Sequence, residues 1–315
     1  MSVTIKLYEK SKKNDWDSFL DTAKNSHFMF KRDYMEYHAK LFNDFSLMFY
    51  DEKKRLTAIL PANIKENKLY SHQGLSFGGL VINRKATTEL VHVAFLALLD
   101  FLKAQDSINS FIYKRMPDFY CSYPSQEDLY ALFLLKADLY RRDVSSLINL
   151  NTNFPYTKGR KWSVNKAKKN EVEIKSDDNL SEFWGLLNQV LQFKHGVKPV
   201  HSLEEINLLR LKFPGNIKCF TARLGGELVA GVLIYETDDV AHTQYLANSE
   251  RGRDIGALDL VIDHLLKTVY KDKKYFDFGI STEENGQCLN RGLIAQKEGF
   301  GARAFVQDCY EIKVK

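Results

Sequence analysis

Proton transfer is the first chemistry the residues offer. The stretch KHGVKPVH places His195 and His201 within one polar loop, and imidazole exchanges its proton near neutral pH, so either ring can act as a general base or simply stand exposed. Tyr245, in a run with strand alternation, offers a phenol to a leaving group or substrate, or an aromatic ring to the core. Glu283, Asn285 and Asn290 lie in or just after the polar loop beyond the strand YFDFGIS, where α/β sheets expose ligand sites. Asp277, inside that apolar strand, reads as a buried hydrogen-bonded anchor or as part of the site. In SHQGLSFGGL, His72 stands among Gly74, Gly78 and Gly79, and glycines so dense imply tight turns or a close approach of backbone to ligand. Lys114 and Arg142, near strand ends, can bind an anionic acceptor such as a nucleotide-linked sugar, or stay solvated.

Other chemistries find no support. Cys121, Cys219, Cys288 and Cys309 lie far apart with no CxxC or Cys/His cluster, so neither a zinc site nor a disulfide framework is expected, and no metal. No GxSxG nucleophile elbow occurs. A net charge of +5 over 315 residues mildly favours anionic small molecules and argues little for dedicated nucleic-acid binding. With 44% hydrophobic and 27% charged residues the composition is that of a globular protein. The first residues lack a basic-then-apolar leader, and the longest apolar stretch, residues 91–102, carries Asp100 and falls short of the ~20 residues of a membrane span. A cytoplasmic location is expected.

The elements that must position these residues come in two rounds. Residues 45–64 form two apolar runs around a charged turn, a hairpin signature; a third strand ending in glycines, a helix, a strand, a further helix and a strand follow. The second half repeats the order, with a hairpin turning at Gly225 and Gly226, a third strand, the helix IGALDLVIDHLLKTVY, the strand KYFDFGIS, a short helix and a final strand. Two helices precede each round, DWDSFLDTAK and RDYMEYHAKLF in the first. The expectation is a duplicated α/β unit with mixed sheets, divided into residues 1–151 and 152–315.

This order resembles that of the GNAT acyl-CoA N-acyltransferases. In RGRDIGALDL, Arg253, Gly256 and Ala257 resemble the GNAT phosphate loop Q/R-x-x-G-x-G/A, with Leu258 departing where glycine or alanine is usual. A loop opening the helix at Ile255 would aim backbone N–H groups and the positive helix end at a diphosphate, with Arg251 and Arg253 adding charge. The segment from Tyr275 to Ile312 resembles the closing region of the FemAB-like peptidyl and aminoacyl transferases, which are two fused GNAT-type domains. In that family a strand ending in D-F-G, here Asp277, Phe278 and Gly279, leads to a polar loop, and a short helix delivers a lysine, here Lys297, before an F-G pair, here Phe300 and Gly301.

The resemblance covers most of the chain. It implies tandem GNAT-like domains, with the donor site in the second, and an enzyme that transfers an acyl group from acyl-CoA, as co-substrate, to the amine of an amino sugar or peptide cell-envelope precursor. It gives Lys297 a role in charge stabilisation and requires no covalent nucleophile. One alternative is an aminoacyl-tRNA donor, with Arg160, Lys161, Lys166, Lys168 and Lys169 of the basic helix RKWSVNKAKK touching tRNA phosphates. Another is a non-catalytic, ligand-binding descendant.

Overall fold

Thr87 caps the first long helix by accepting a hydrogen bond from the Leu90 N–H at 3.2 Å, and the apolar residues that follow at helical spacing, Val91, Ala94, Phe95, Leu98 and Leu102, are buried on one face. The same periodic logic builds the remaining elements. The computed structural model describes residues 2–314. They fall into two units, one of Met1–Asp143 together with Val306–Lys315, the other of Val144–Phe305. The chain thus changes unit eight residues before the boundary expected from sequence, and its last residues return to the first unit.

The first unit holds strands β1 (Val3–Leu7), β2 (Asn43–Asp44), β3 (Leu47–Asp51), β4 (Leu56–Leu60), β5 (Asn63–Lys65), β6 (Lys68–Tyr70), β7 (Val81–Ile82) and β8 (Ser110–Lys114). Its helices are α1 (Lys13–Thr22), α2 (Arg32–Met35), α3 (Thr88–Lys103) and α4 (Glu127–Leu134). One sheet has the order β1-β3-β4-β7. In the other, β8 lies between β6, its parallel neighbour, and the end of the final strand β17 (Arg303–Lys313), which it meets antiparallel from Cys309↔Lys114 to Lys313↔Ser110. The core gathers Phe49, Phe95, Phe111 and Tyr113 with Ile312 and Val314 from the returning segment.

In the second unit, β9 (Asp138–Asn149) enters from the first and is followed by α5 (Lys158–Lys169), β10 (Glu173–Ser176), α6 (Ser181–His195) and α7 (Leu203–Lys212). Then come β11 (Ile217–Leu224), β12 (Glu227–Glu236), β13 (Val240–Asn248), α8 (Glu250–Ile255), α9 (Ala257–His264), β14 (Tyr275–Ile280), β15 (Thr282–Glu283), β16 (Cys288–Leu289) and α10 (Arg291–Gly299). Sheet order in this unit is β10-β11-β12-β13-β14-β9. Helices α5 and α9 cover one core, to which Val164, Ala167, Val261, Leu265, Phe276, Phe278 and Phe300 belong. Both units run edge strand, two helices, hairpin, further strand, helix, strand, helix, strand, so the duplicated α/β layout read from the sequence is present.

Three expected elements differ. The helix expected from RDYMEYHAKLF lasts only from Arg32 to Met35. Tyr37, His38 and Phe42 enter an aromatic cluster with His72, and a continued helix would turn some of these rings away from it. The glycine-rich third strand splits into β6 and β7, which lie in different sheets; a Cβ on Gly78 would lie 2.0 Å from the Ser71 carbonyl oxygen, so the chain passes there only as glycine. The long helix of the second round is broken at Gly256, whose φ of +79° ends α8 and starts α9, and it closes in a π-turn over Leu265–Val269.

Candidate active site

Strands β13 and β14 part company where the candidate site begins. Their parallel ladder holds for Val240↔Tyr275, Ala241↔Phe276 and His242↔Asp277, after which β13 continues to Asn248 and β14 to Ile280 without further pairing between them. On its other side β13 bulges against β12, with Tyr245 opposite Leu233 but Thr243 opposite Ile234, so Gln244 is the extra residue. Backbone polar groups that lose their ladder need other partners, and a cleft between diverging strands presents them to a ligand.

At the last paired rung Asp277 meets His242, a residue that the sequence did not single out. Asp277 is 1% exposed and accepts hydrogen bonds from Ser145 Oγ at 2.8 Å and from the Gly279 N–H at 2.8 Å, with His242 Nδ1 2.9 Å from its other oxygen. Burial alone would raise its pKa, but His242 and these donors hold it below the ordinary carboxylate value. A charged carboxylate against Nδ1 makes that nitrogen the donor, and in the neutral ring Nε2 is then the acceptor. The His242 ring lies beside Gly279, where a Cβ would come within 3.2 Å of Cε1. Gly279 also has φ +73°, which favours glycine.

Lys297 converges on the same residue. Its ammonium donates to the carbonyls of Gly279 at 2.9 Å and Ile280 at 2.7 Å, and burial lowers its pKa to about 8. The local sequence explains the placement. Asn290 caps α10 by accepting from the Leu293 N–H at 2.9 Å, and the helix ends where Phe300 stacks on Phe278 with ring centroids 6.0 Å apart. Gly301 then turns with φ +92°, in a place where a Cβ would meet Phe154 at 2.8 Å. The D-F-G and F-G pairs therefore dock the helix on the strand, and the lysine one turn earlier faces the strand end.

His201 and Tyr245 are brought together: Nδ1 lies 2.6 Å from the phenolic oxygen, and Trp184 packs edge-on against Tyr245 at 5.3 Å. Burial lowers the His201 pKa to about 4 and raises that of Tyr245 to about 12, so both are neutral at pH 7. The side chain of His195 lies outside the described residues.

The expected phosphate loop is placed differently. The helix opens at Glu250, not Ile255, with Ser249 as cap to the Gly252 N–H at 2.9 Å. Ala257 is fully buried, and Gly256 packs on Ser163, where a Cβ would lie 2.4 Å from Oγ, so both side-chain positions face the α5–α9 packing. Arg251 pairs with Glu227, and Arg253 donates to the Asn248 carbonyl at 3.0 Å, which keeps both guanidinium groups at the new helix start.

Other candidates are engaged structurally. His72 is 2% exposed, and burial followed by repulsion from His38 lowers its pKa to about 3, so it is a neutral core imidazole and not an exposed substrate ligand. Lys114 is no exposed cation: it is partly buried, bonds the carbonyls of Gln73 and Leu75, and has its pKa lowered to about 8 by burial. Arg142 makes a two-pronged bond to Asp308, at 2.6 and 2.8 Å. Glu283 accepts from Asn290 Nδ2 at 2.8 Å, and Asn285 turns the loop with φ +55°. In the basic helix, Arg160 bonds both oxygens of Asp259, Lys166 reaches the Asp254 carbonyl, and Lys168 pairs with Asp263, so three of the five proposed phosphate contacts have protein partners. Among the described residues no group of His, Cys, Asp and Glu could hold a metal ion, and no helix is long and apolar enough to cross a membrane.

Comparison with known proteins bears on the fold. The acetyltransferase (GNAT) domain family matches residues 160–285. The structure of FemX superposes over 99% of this chain and 97% of its own with TM-score 0.67 at 11% identity. The C-terminal domain of a putative lysylphosphatidylglycerol synthetase from Agrobacterium fabrum covers 97% of this chain and 92% of its own, with TM-score 0.62 at 10% identity. A tandem GNAT protein from the clavulanic acid biosynthesis pathway covers 100% and 99%, with TM-score 0.51 at 10% identity. No curated protein sequence matches. The fold has two GNAT-like α/β units, and part of the chain, residues 160–285, matches the acetyltransferase (GNAT) domain family. Within that fold the chain is similar over nearly its whole length to FemX.

Proposed function

We propose that the second unit transfers an acyl group from an acyl-CoA to an amine, in the cleft that opens between β13 and β14, the amine belonging to an amino sugar or peptide of a cell-envelope precursor. The observation that carries this reading is the buried Asp277 carboxylate holding His242 at the last paired rung, with the Lys297 ammonium on the carbonyls beyond it. A thioester lying along the unpaired edge of β13 would direct its diphosphate toward Ser249 and Gly252 at the start of α8, near Arg251 and Arg253.

The chemistry asked of the site is the deprotonation of an amine and the stabilisation of an oxyanion. His242 Nε2 accepts the proton lost as the amine nitrogen bonds to the carbonyl carbon, and Asp277 stabilises the imidazolium. Two of the three N–H donors of Lys297 go to carbonyls, and the third is available to the developing negative charge. Collapse breaks the carbon–sulfur bond, and the thiolate leaves with a proton from the imidazolium or from the Tyr245 phenol.

The test is calorimetric titration with acetyl-CoA, longer acyl-CoAs and free coenzyme A, followed by turnover with glucosamine-type and peptide amines. Saturable thioester binding, weakened in Arg253→Ala, and acylated amine as product support the reading. A folded protein that binds no coenzyme A species sinks it and turns attention to aminoacyl-tRNA or a non-catalytic ligand.

A further inference from the structure

On the α5 side of α9 the second unit has a cavity of about 450 Å³ that the proposed transfer does not use. One wall is a stripe along α5, with Lys161, Asn165 and Lys168 at spacings of four and three, which brings them to one helix face. The opposite wall carries Asp263 and Lys267 at an i,i+4 spacing. Lys267 sits within the π-turn Leu265–Val269, a local unwinding of the kind often found where helices serve function. Tyr156 closes the floor, with the Lys267 ammonium 4.4 Å from its ring centroid.

Three ammonium groups meet one carboxylate here, so the cavity keeps two positive charges. Asp263 holds Lys168 at 3.4 Å and also pairs with Lys267, which fixes both cations at the rim. Lys161 has no ion pair among the described residues. Asn165 adds an amide donor, and Phe154, with the edge of Tyr156, adds an apolar part to the lining. The volume lies within the range of pockets that enclose small molecules.

We infer that this cavity binds a small phosphate monoester, with the dianion facing Lys161, Lys168 and Asn165 and its organic part toward Phe154. Charge-assisted bonds from lysines suit a phosphate, and a neutral ligand would leave the cation cluster uncompensated. The inference stands apart from the acyl-transfer reading, since none of these residues touches His242, Asp277 or Lys297.

The experiment is calorimetric titration of the intact protein with inorganic phosphate, adenosine 5′-monophosphate and adenosine at low salt. The monophosphate should bind saturably, phosphate more weakly, and adenosine not at all. Lys161→Ala, an exposed position, should weaken the monophosphate about tenfold while Lys161→Arg restores it. Asn165→Asp, also exposed, should weaken it further by adding a like charge. Unchanged affinity in both Lys161→Ala and Asn165→Asp, or no saturable binding to the folded wild type, overturns the inference. Binding confined to a short RNA, with a steep salt dependence, also overturns it and assigns the face to a polynucleotide.

Discussion

At the scale of the residue, the site turns on which side chain is charged at neutral pH. Asp277 stays ionised in a dry position because His242, the Gly279 N–H and Ser145 Oγ offset the loss of water. His242→Gln should therefore lower kcat by about 10²- to 10⁴-fold with little change in melting temperature, measured as amide formation from an acyl-CoA. Lys297→Met should lower kcat by about 10²-fold, and Lys297→Arg should recover only part of it, because a planar guanidinium cannot reproduce the tetrahedral donors at the two carbonyls. Burial takes the folded-state pKa of Lys297 from 10.5 to about 8, so between those values the unfolded chain holds the extra proton. Stability from this group thus rises with pH from about 8 to about 10.5, and the pH-dependence of denaturant midpoints in Lys297→Met should lack that rise. A melting curve pair that is parallel across this window would show the ammonium is not the group responsible. His242 went unread in the sequence although a signal existed: a histidine in one apolar strand and an aspartate in the next, joined by a helix, become neighbours if the strands pair in parallel.

At the scale of the element, short pieces with special backbone angles do the positioning. Helix α10 is only nine residues long and presents Lys297 because Phe300 stacks on Phe278 and Gly301 can adopt φ +92°. Gly301→Ala should cost about 1–3 kcal/mol and reduce activity beyond the stability loss, since the added methyl also collides with Phe154; urea unfolding and kcat on the same preparation separate the two effects. The D-F-G and F-G motifs were legible through their resemblance to a known family, and their residue types carry this docking. The start of the helix was read too late because Gly256 looked like a turn before a helix, whereas its left-handed φ breaks one helix into two and its missing Cβ admits Ser163 of α5. Such a close approach involves a residue more than ninety positions away, and no local pattern carries it.

At the scale of the whole molecule, two units share one chain whose last strand returns to the first. Ile312 and Val314 complete the core of that unit, and β17 supplies the strand beside β8. Deleting residues 306–315 should unfold the first unit while the second retains its hydrogen-exchange protection, a result read by mass spectrometry; uniform loss of protection would mean the units unfold together. The sequence by itself determined the duplication, most of the order of strands and helices and the hairpin turns, because periodicity and turn chemistry act over a few residues, while the D-F-G and lysine motifs were legible through their resemblance to a known family. Tertiary structure alone decided that His242 meets Asp277, that His72 is buried and Lys114 partly so, and that the basic helix directs Arg160 and Lys168 to Asp259 and Asp263. Ionisation and pairing depend on which groups lie within a few ångströms and how much water remains between them, and that is fixed only when distant segments pack.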